Sequence, residues 1–181
     1  MPKYIAILRG INVGGRRKIL MVDLKKLFQE LGFTNIQTYI QSGNVVFETS
    51  SSDDNATLSN KIEQIISKTY GFEVPVILRT ANEIEQAISN NPFFKNKTEV
   101  EGLFLTFLKS IPSAVELENI KSFDFSPDKF EIVGKDIFGF CFGKYHKTKL
   151  SNQFFESKLK VSATTRNWKT VINLQQMASG K

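Results

Sequence analysis

The sequence is poor in the residues that build disulfide and metal sites. Its 181 residues include one cysteine, Cys141, and one histidine, His146. A lone cysteine excludes a disulfide framework within the chain and a zinc site made of several thiolates. A lone histidine excludes paired-histidine motifs such as H-E-x-x-H. We therefore expect no metal site, and we expect Cys141, within an apolar strand, to be a buried small hydrophobe.

Long apolar runs are also missing. No stretch approaches the roughly eighteen uncharged apolar residues of a membrane span. The apolar run at residues 4–8 is too short for a signal peptide. Hydrophobic residues make up 41% of the chain and charged residues 23%, a mixture that can bury a core. A cytoplasmic protein with no membrane partner is the expectation.

The common nucleotide motifs are absent as well. Residues 9–18 hold three of the eleven glycines between a predicted strand and a predicted helix. This segment is neither a Walker A loop, G-x-x-x-x-G-K-[ST], nor the dinucleotide fingerprint G-x-G-x-x-G. We expect no cofactor. Glycines before a helix can nevertheless turn successive backbone N–H groups toward an anion, and the alternative is that they only shape the crossover.

Basic residues are present in excess and are unevenly distributed. The chain carries a net charge of +6; residues 1–20 contribute +5, residues 144–169 contribute +6 and Lys181 contributes +1, while residues 21–143 carry −6. A surface of no special purpose mixes its signs. Two basic blocks favour contact with a phosphate-containing small molecule or with nucleic acid. Two solvated basic faces without a ligand are the alternative, and the oligomeric state is not indicated.

Hydrophobic spacing predicts the β-α-β-β-α-β order of a ferredoxin-like unit in the first half of the chain. Its predicted elements are a strand at 4–8, a helix at 20–31, a hairpin of 36–41 and 44–48, a helix at 55–70 and an edge strand at 72–78. The second half repeats the β-α-β-β-α part of this order, with predicted strands at 102–109, 130–133 and 137–142 and predicted helices at 81–89, 113–123, 152–159 and 166–177. We predict an α+β protein of two packed ferredoxin-like (split βαβ) units, residues 1–80 and 81–181, the second with extra helices.

Cations precede or begin three of the predicted helices. The cations Arg16, Arg17 and Lys18 lie before the first predicted helix, and three lysines lie before the predicted helix at 152–159. With Thr164-Thr165 as the predicted N-cap, Arg166 falls in the first turn of the last helix. Cations at a helix N-terminus oppose the macrodipole by roughly 0.3–1 kcal/mol each, and a bound anion would reverse that effect.

Three segments of the chain, read in order, resemble the bacterial domain-of-unknown-function family 1697. They are RGINVGG at 9–15, TYIQSGNVVF at 38–47 and TTRNW at 164–168. The resemblance implies an α+β protein of two ferredoxin-like units, and it implies no activity. These segments coincide with two of the basic helix starts and with the turn of the first hairpin.

We hypothesise that these segments converge on one ligand site in a cleft. The predicted binding residues are Arg9, Asn12, Gly14, Gly15, Lys18, Gln41, Ser42, Asn44, Arg166 and Asn167. The function favoured by this pattern is a phosphate- or anion-recognising binding module for a nucleotide, a phosphorylated metabolite or a nucleic acid backbone.

Three alternatives remain open. An enzyme acting on a phosphorylated or acidic substrate would need a base, for which His146 or Tyr39 is available. A protein–protein scaffold would use its sheet edges to pair with another chain. Finally, the alternating aromatics of 137–142 and 103–108 invite comparison with the base-stacking strands of an RNA-recognition motif.

Overall fold

The computed structural model describes residues 1–94 and 100–180. The chain divides into two compact units, one of Met1–Glu85 with Asn173–Lys181 and one of Gln86–Ile172. The sequence predicted a boundary after residue 80 and placed the whole C-terminal segment in the second unit. In the described residues the chain forms two separate four-stranded antiparallel sheets and six α-helices.

The first unit has the ferredoxin-like arrangement predicted from its element order. Its elements are β1 (Lys3–Leu8), α1 (Met21–Glu30), β2 (Thr34–Tyr39), β3 (Asn44–Glu48), α2 (Asn55–Tyr70) and β4 (Val76–Thr80). The strand order is β2-β3-β1-β4, with every neighbouring pair antiparallel. Strand β4 is therefore an edge strand, as predicted, but it spans Val76–Thr80 and not the predicted residues 72–78. It begins after Pro75, which has no N–H to donate to a strand ladder.

Helices α1 and α2 are fixed to this sheet by buried apolar side chains. Leu24 and Phe28 of α1 and Leu58 of α2 join one core with Leu8 and Phe47 of the sheet. Residues of this core recur every three or four positions along these helices and every second position along the strands. This is the periodicity expected for one buried face. The ends of β1 and β3 are thereby held in place, and the loops that follow them are anchored.

The second unit repeats the same arrangement. After α3 (Ala81–Asn90), the chain forms β5 (Leu103–Leu108), α4 (Ala114–Ile120), β6 (Lys129–Val133), β7 (Asp136–Phe140), a 3₁₀ turn (Tyr145–Lys147), α5 (Asn152–Leu159), β8 (Ala163–Asn167) and α6 (Trp168–Ser179). The strand order is β6-β7-β5-β8. The α+β class with two ferredoxin-like units is confirmed.

The predicted helix at 166–177 is wrong at its beginning. Residues 163–167 form β8, which pairs with β5 through Thr165 opposite Thr106 and Arg166 opposite Leu105. The predicted N-cap, Thr164-Thr165, therefore lies in a strand. Threonine is favoured both at N-caps and in strands. In the folded chain, pairing with β5 places these two threonines in a strand.

Candidate functional site

The basic loop, residues 9–18, connects β1 to α1 and contains a short hairpin of its own. Val13 and Arg16 form a bridge, and the Arg16 N–H donates to the Val13 carbonyl at 3.1 Å. Between them Gly14 and Gly15 have φ of 58° and 73°. Two successive positive φ values are the requirement of a type I′ turn, which glycine meets without strain. The two glycines therefore form the tip of a hairpin.

Asn12 ties this hairpin to the rest of the unit. Its Nδ2 donates to the Ile19 carbonyl at 2.9 Å and to the Gln41 carbonyl at 2.8 Å. Its Oδ1 accepts from the Ile19 N–H at 2.9 Å. The residue itself has φ of 56°, a conformation that asparagine tolerates better than most residues. The predicted ligand residue Asn12 is thus engaged in fixing the loop against residues 40–43.

The turn at residues 40–43 lies against the base of the basic loop. A Cβ on Gly43, whose φ is 83°, would lie 2.7 Å from Ile11 Cδ1 and 2.8 Å from Leu8 Cβ. The buried Asn44 side chain donates to the Tyr39 carbonyl at 2.9 Å and to Ser42 Oγ at 3.0 Å. The structure thus brings predicted binding residues of the segment 38–47 next to those of the segment 9–15.

The outer surface of the basic loop is strongly cationic. Arg16, Arg17 and Lys18 are exposed, Arg9 is half-buried, and no acidic residue occurs in residues 1–20. Arg17 lies over the start of the loop, since its guanidinium would be 3.5 Å from a Cβ on Gly10.

Helix α1 begins directly after this cationic surface, with Leu20 in the N-cap position. The Leu20 side chain makes no capping hydrogen bond. Asp23 in the first turn of α1 contacts Lys26 at 3.2 Å. The N-terminus of α1 therefore has no capping side chain at Leu20, while cations are concentrated beside it.

The last two predicted residues belong to the second unit. Arg166 is 8% exposed, and its guanidinium donates to Thr164 Oγ1 and to the Thr165 carbonyl, each at 2.9 Å. Burial lowers the pKa of this guanidinium to about 10. Asn167 Oδ1 accepts from the Thr170 N–H at 2.8 Å and so caps α6. That these two residues share one site with the basic loop stays a prediction.

The other candidates lie in different surroundings. His146 is exposed in the 3₁₀ turn, whereas Cys141 is 4% exposed, as expected of a small hydrophobe. Burial, with a contribution from the Asp128 carboxylate, raises the pKa of the Cys141 thiol. Phe104 and Phe138 are 2% and 1% exposed. Phe107 of β5 is buried too, and Phe140 of β7 is half-buried. Strands β5 and β7 therefore do not present the exposed row of alternating aromatics on which the bases stack in an RNA-recognition motif.

A cavity in the second unit was missed by the sequence analysis. It measures about 420 Å³, and its walls include Phe104, Cys141, Tyr145, Thr165 and Lys169. Its lining residues come from β5 and the segment before it, from the segment after β7, from β8 and from the start of α6, which sequence spacing alone does not place together. One local signal was available, since Gly139 within a strand often marks a close approach of another group.

The structure carries neither a clustered metal site nor a membrane span in its described part. Within residues 1–94 and 100–180, no three or more His, Cys, Asp or Glu side chains gather in a group that could hold a metal ion. No helix of that part is long and apolar enough to cross a bilayer.

Comparison with known proteins gives a family and a structural relative. A family described as "Protein of unknown function (DUF1697)" matches residues 1–138. No curated protein matches the chain. The solved structure of the conserved bacterial protein SP0830 from Streptococcus pneumoniae is similar, with 26% identity and a TM-score of 0.78. The similarity covers 98% of this chain and 98% of that one.

Proposed function

Because the chain belongs to the family described as "Protein of unknown function (DUF1697)", which supplies no activity, we propose a function from the basic loop: a cytoplasmic protein that binds a phosphate-bearing anion. The ligand class comprises nucleotides, phosphorylated metabolites and the nucleic acid backbone. The observation that carries the proposal is the combination of exposed cations and a fixed backbone in residues 9–18.

Arg16, Arg17 and Lys18 favour an anion by their charge. Three consecutive exposed cations repel one another, and the partial positive charge at the α1 N-terminus adds to that repulsion. A phosphate group placed against them would replace repulsion by attraction. Guanidinium groups suit this role because their planar donors match two phosphate oxygens at once.

The basic loop is also preorganised for binding. A loop that is already ordered loses less conformational entropy when a ligand binds. The hydrogen bonds of Asn12 and the close packing of Gly43 against Ile11 provide that order. Gly14 and Gly15 are exposed at the tip, where their backbone N–H groups are open to an anion.

The predicted residues of the first unit then fall into two roles. Arg9, Gly14, Gly15 and Lys18, together with Arg16 and Arg17, are the proposed ligand contacts. Asn12, Gln41, Ser42 and Asn44 are positioning residues, since their hydrogen bonds join the basic loop to the 40–43 turn or hold that turn.

Calorimetric titration with tripolyphosphate tests the proposal. The variant R16Q/R17Q/K18Q removes three exposed cations from the basic loop. The matched control, K144Q/K147Q/K149Q, removes three exposed cations from the other basic block. We expect the loop variant to lose at least about tenfold in affinity, or ~1.4 kcal/mol, and the control to bind like the wild type. Equal losses in both would mean that only net charge matters, and unchanged binding by the loop variant would refute the site.

Salt dependence separates the two ligand sources. Binding to a nucleic acid backbone releases counterions, so the affinity for an oligonucleotide falls steeply with salt in proportion to the phosphates contacted. A single nucleotide or sugar phosphate held in the basic loop has fewer phosphates and a shallower dependence. The same titration at low and moderate salt, with a nucleoside triphosphate and with a short oligonucleotide, assigns the class.

A further inference from the structure

The cavity in the second unit lies over one end of the β5–β8 pair. Phe104, Thr106 and Leu108 alternate along β5 and face the same side, and Thr165 of β8 is opposite Thr106. Toward Leu108 this face is covered by the apolar core that includes Phe155 and Leu159 of α5. Toward Phe104 the cavity of about 420 Å³ is open instead. Its volume is within the range of small-molecule sites, about 300–1,000 Å³.

Two aromatic side chains form walls of this cavity. The ring of Phe104 lies across Gly139, its partner in β7, where a Cβ would be 2.0 Å from the Phe104 ring. Any larger residue at 139 would displace the ring, so the glycine is what allows the Phe104 ring to lie there. Tyr145 meets Phe104 edge to face, with ring centroids 5.1 Å apart. Aromatic walls of this kind favour a flat apolar ligand.

A polar network lines one side of the same cavity. Thr165 Oγ1 is 2.6 Å from Thr106 Oγ1 and donates to Asn152 Oδ1 at 2.6 Å. The Tyr145 hydroxyl also forms a hydrogen bond with Thr165. These bonds hold Tyr145 beside the cavity.

The charges around the opening are predominantly positive. Lys169 lines the cavity, and Lys144 and Lys147 flank its lining residues Gly143 and Tyr145 in the chain; all three lysines are exposed. One carboxylate, that of Glu101, lines it as well. The balance favours a ligand of negative charge.

We propose that this cavity binds a small aromatic anion, with the ring against Phe104 and Tyr145 and the acid group toward Lys169. The ligand class is a mono- or bicyclic aromatic carboxylate or phosphate. This site is separate from the basic loop and does not depend on the function proposed for it.

Naphthalene-2-carboxylate is a suitable probe, because it is flat, anionic and fluorescent. Neutral naphthalene-2-methanol and cationic 2-naphthylmethylamine are the matched comparison ligands. We expect the full chain to bind the carboxylate at least about tenfold more tightly than the other two. Equal binding of the three ligands, or no binding of the carboxylate, would overturn the proposal.

Substitutions assign the binding to this cavity. We expect K169Q to weaken carboxylate binding severalfold, while K68Q, which removes the same charge from an exposed position of helix α2, leaves it unchanged. Tyr145→Ala should reduce binding at least about tenfold, and Tyr145→Phe should retain most of it. Equal effects of K169Q and K68Q would contradict the proposed position of the acid group. Both lysines are exposed, so neither substitution should disturb folding.

Cys141 gives a second readout, since it is the sole cysteine and lines the cavity. Bound carboxylate should slow alkylation of its thiol by iodoacetamide, and the neutral alcohol at the same concentration should not. Carboxylate binding without protection of Cys141 would place the ligand elsewhere. The loop variant R16Q/R17Q/K18Q should bind the carboxylate like the wild type, so failure of either site is distinguishable from failure of the other.

Discussion

Asn12 shows how a single side chain can have a structural role that its sequence context does not indicate. An asparagine in a glycine-rich basic segment suggests a ligand contact. In the folded chain its amide makes three hydrogen bonds, two with Ile19 and one with the carbonyl of Gln41. Gln41 is 29 positions away in the sequence, and no local sequence pattern predicts a hydrogen-bond partner at that distance.

Replacing Asn12 by alanine should destabilise the protein and loosen the basic loop. The change removes three hydrogen bonds and places alanine at φ of 56°. We expect a loss of about 2–4 kcal/mol in the free energy of unfolding, measured by urea denaturation. Asn12→Asp is the comparison variant. It keeps the acceptor for the Ile19 N–H, but it loses both donations and places a carboxylate oxygen against the Ile19 and Gln41 carbonyls, so it should be destabilised as well. A loss in N12A of less than about 0.5 kcal/mol, the range of ordinary surface substitutions, would contradict the assigned role.

The thiol of Cys141 gives a pH-dependent prediction. Burial raises its pKa, so alkylation by iodoacetamide should reach half its limiting rate at a pH above the usual value of about 8.5. A raised pKa means that the folded chain holds this proton more tightly than the unfolded chain. Its contribution to stability is therefore present below pH 8.5 and is lost as the pH rises through the folded-state pKa.

Mass spectrometry of the alkylated chain measures that rate. The same titration in concentrated urea is the control, and there the midpoint should return to about 8.5. A native midpoint at or below the denatured one would show that the thiol is not desolvated as the structure indicates.

At the scale of elements, the sequence predicted the first unit better than the end of the second. Strand β1 and helix α2 carry strong periodicity, and both form where predicted. Strand β8 has only five residues and is followed at once by α6. Its Thr164 and Thr165 suit a cap or a strand equally, and the choice depends on pairing with β5, a long-range contact that local propensity cannot supply.

The start of α6 yields a direct test of that corrected boundary. Asn167 accepts from the Thr170 N–H, so Asn167→Ala should lower the free energy of unfolding by about 1 kcal/mol, whereas Asn167→Asp should keep most of the cap. Chemical denaturation of both variants measures the difference. Equal stability of N167A and the wild type would mean that the cap lies elsewhere.

The turn at the tip of the basic loop and the turn at residues 40–43 should respond differently to an alanine substitution. At Gly43 a methyl group would meet Ile11 and Leu8 at under 3 Å in addition to a φ of 83°, so Gly43→Ala should lose about 3–5 kcal/mol. At Gly14, with φ of 58°, a Cβ would meet nothing within 4 Å, so Gly14→Ala should lose about 1–2 kcal/mol. Thermal or urea unfolding of the pair tests this order, and a reversed order would contradict the described packing of the 40–43 turn.

At the scale of the whole molecule, element order alone predicted two ferredoxin-like units, and both sheets have the corresponding strand order. Repetition made this possible, because each half carries the same succession of apolar segments. The candidate site was less accessible to sequence reasoning. Charge blocks identified the basic loop, but the cavity beside Phe104 depends on strand register and on the segment after β7, neither of which appears in composition or spacing.

The binding of a phosphate-bearing anion by residues 9–18 is tested most directly by a two-dimensional ¹H–¹⁵N spectrum titrated with pyrophosphate. We predict saturable shifts of the backbone amide signals of Gly14, Gly15 and Lys18, with the signals of residues 144–149 unchanged, and loss of the shifts in R16Q/R17Q/K18Q. Shifts of equal size in both basic blocks, or none in the loop, would contradict the claim.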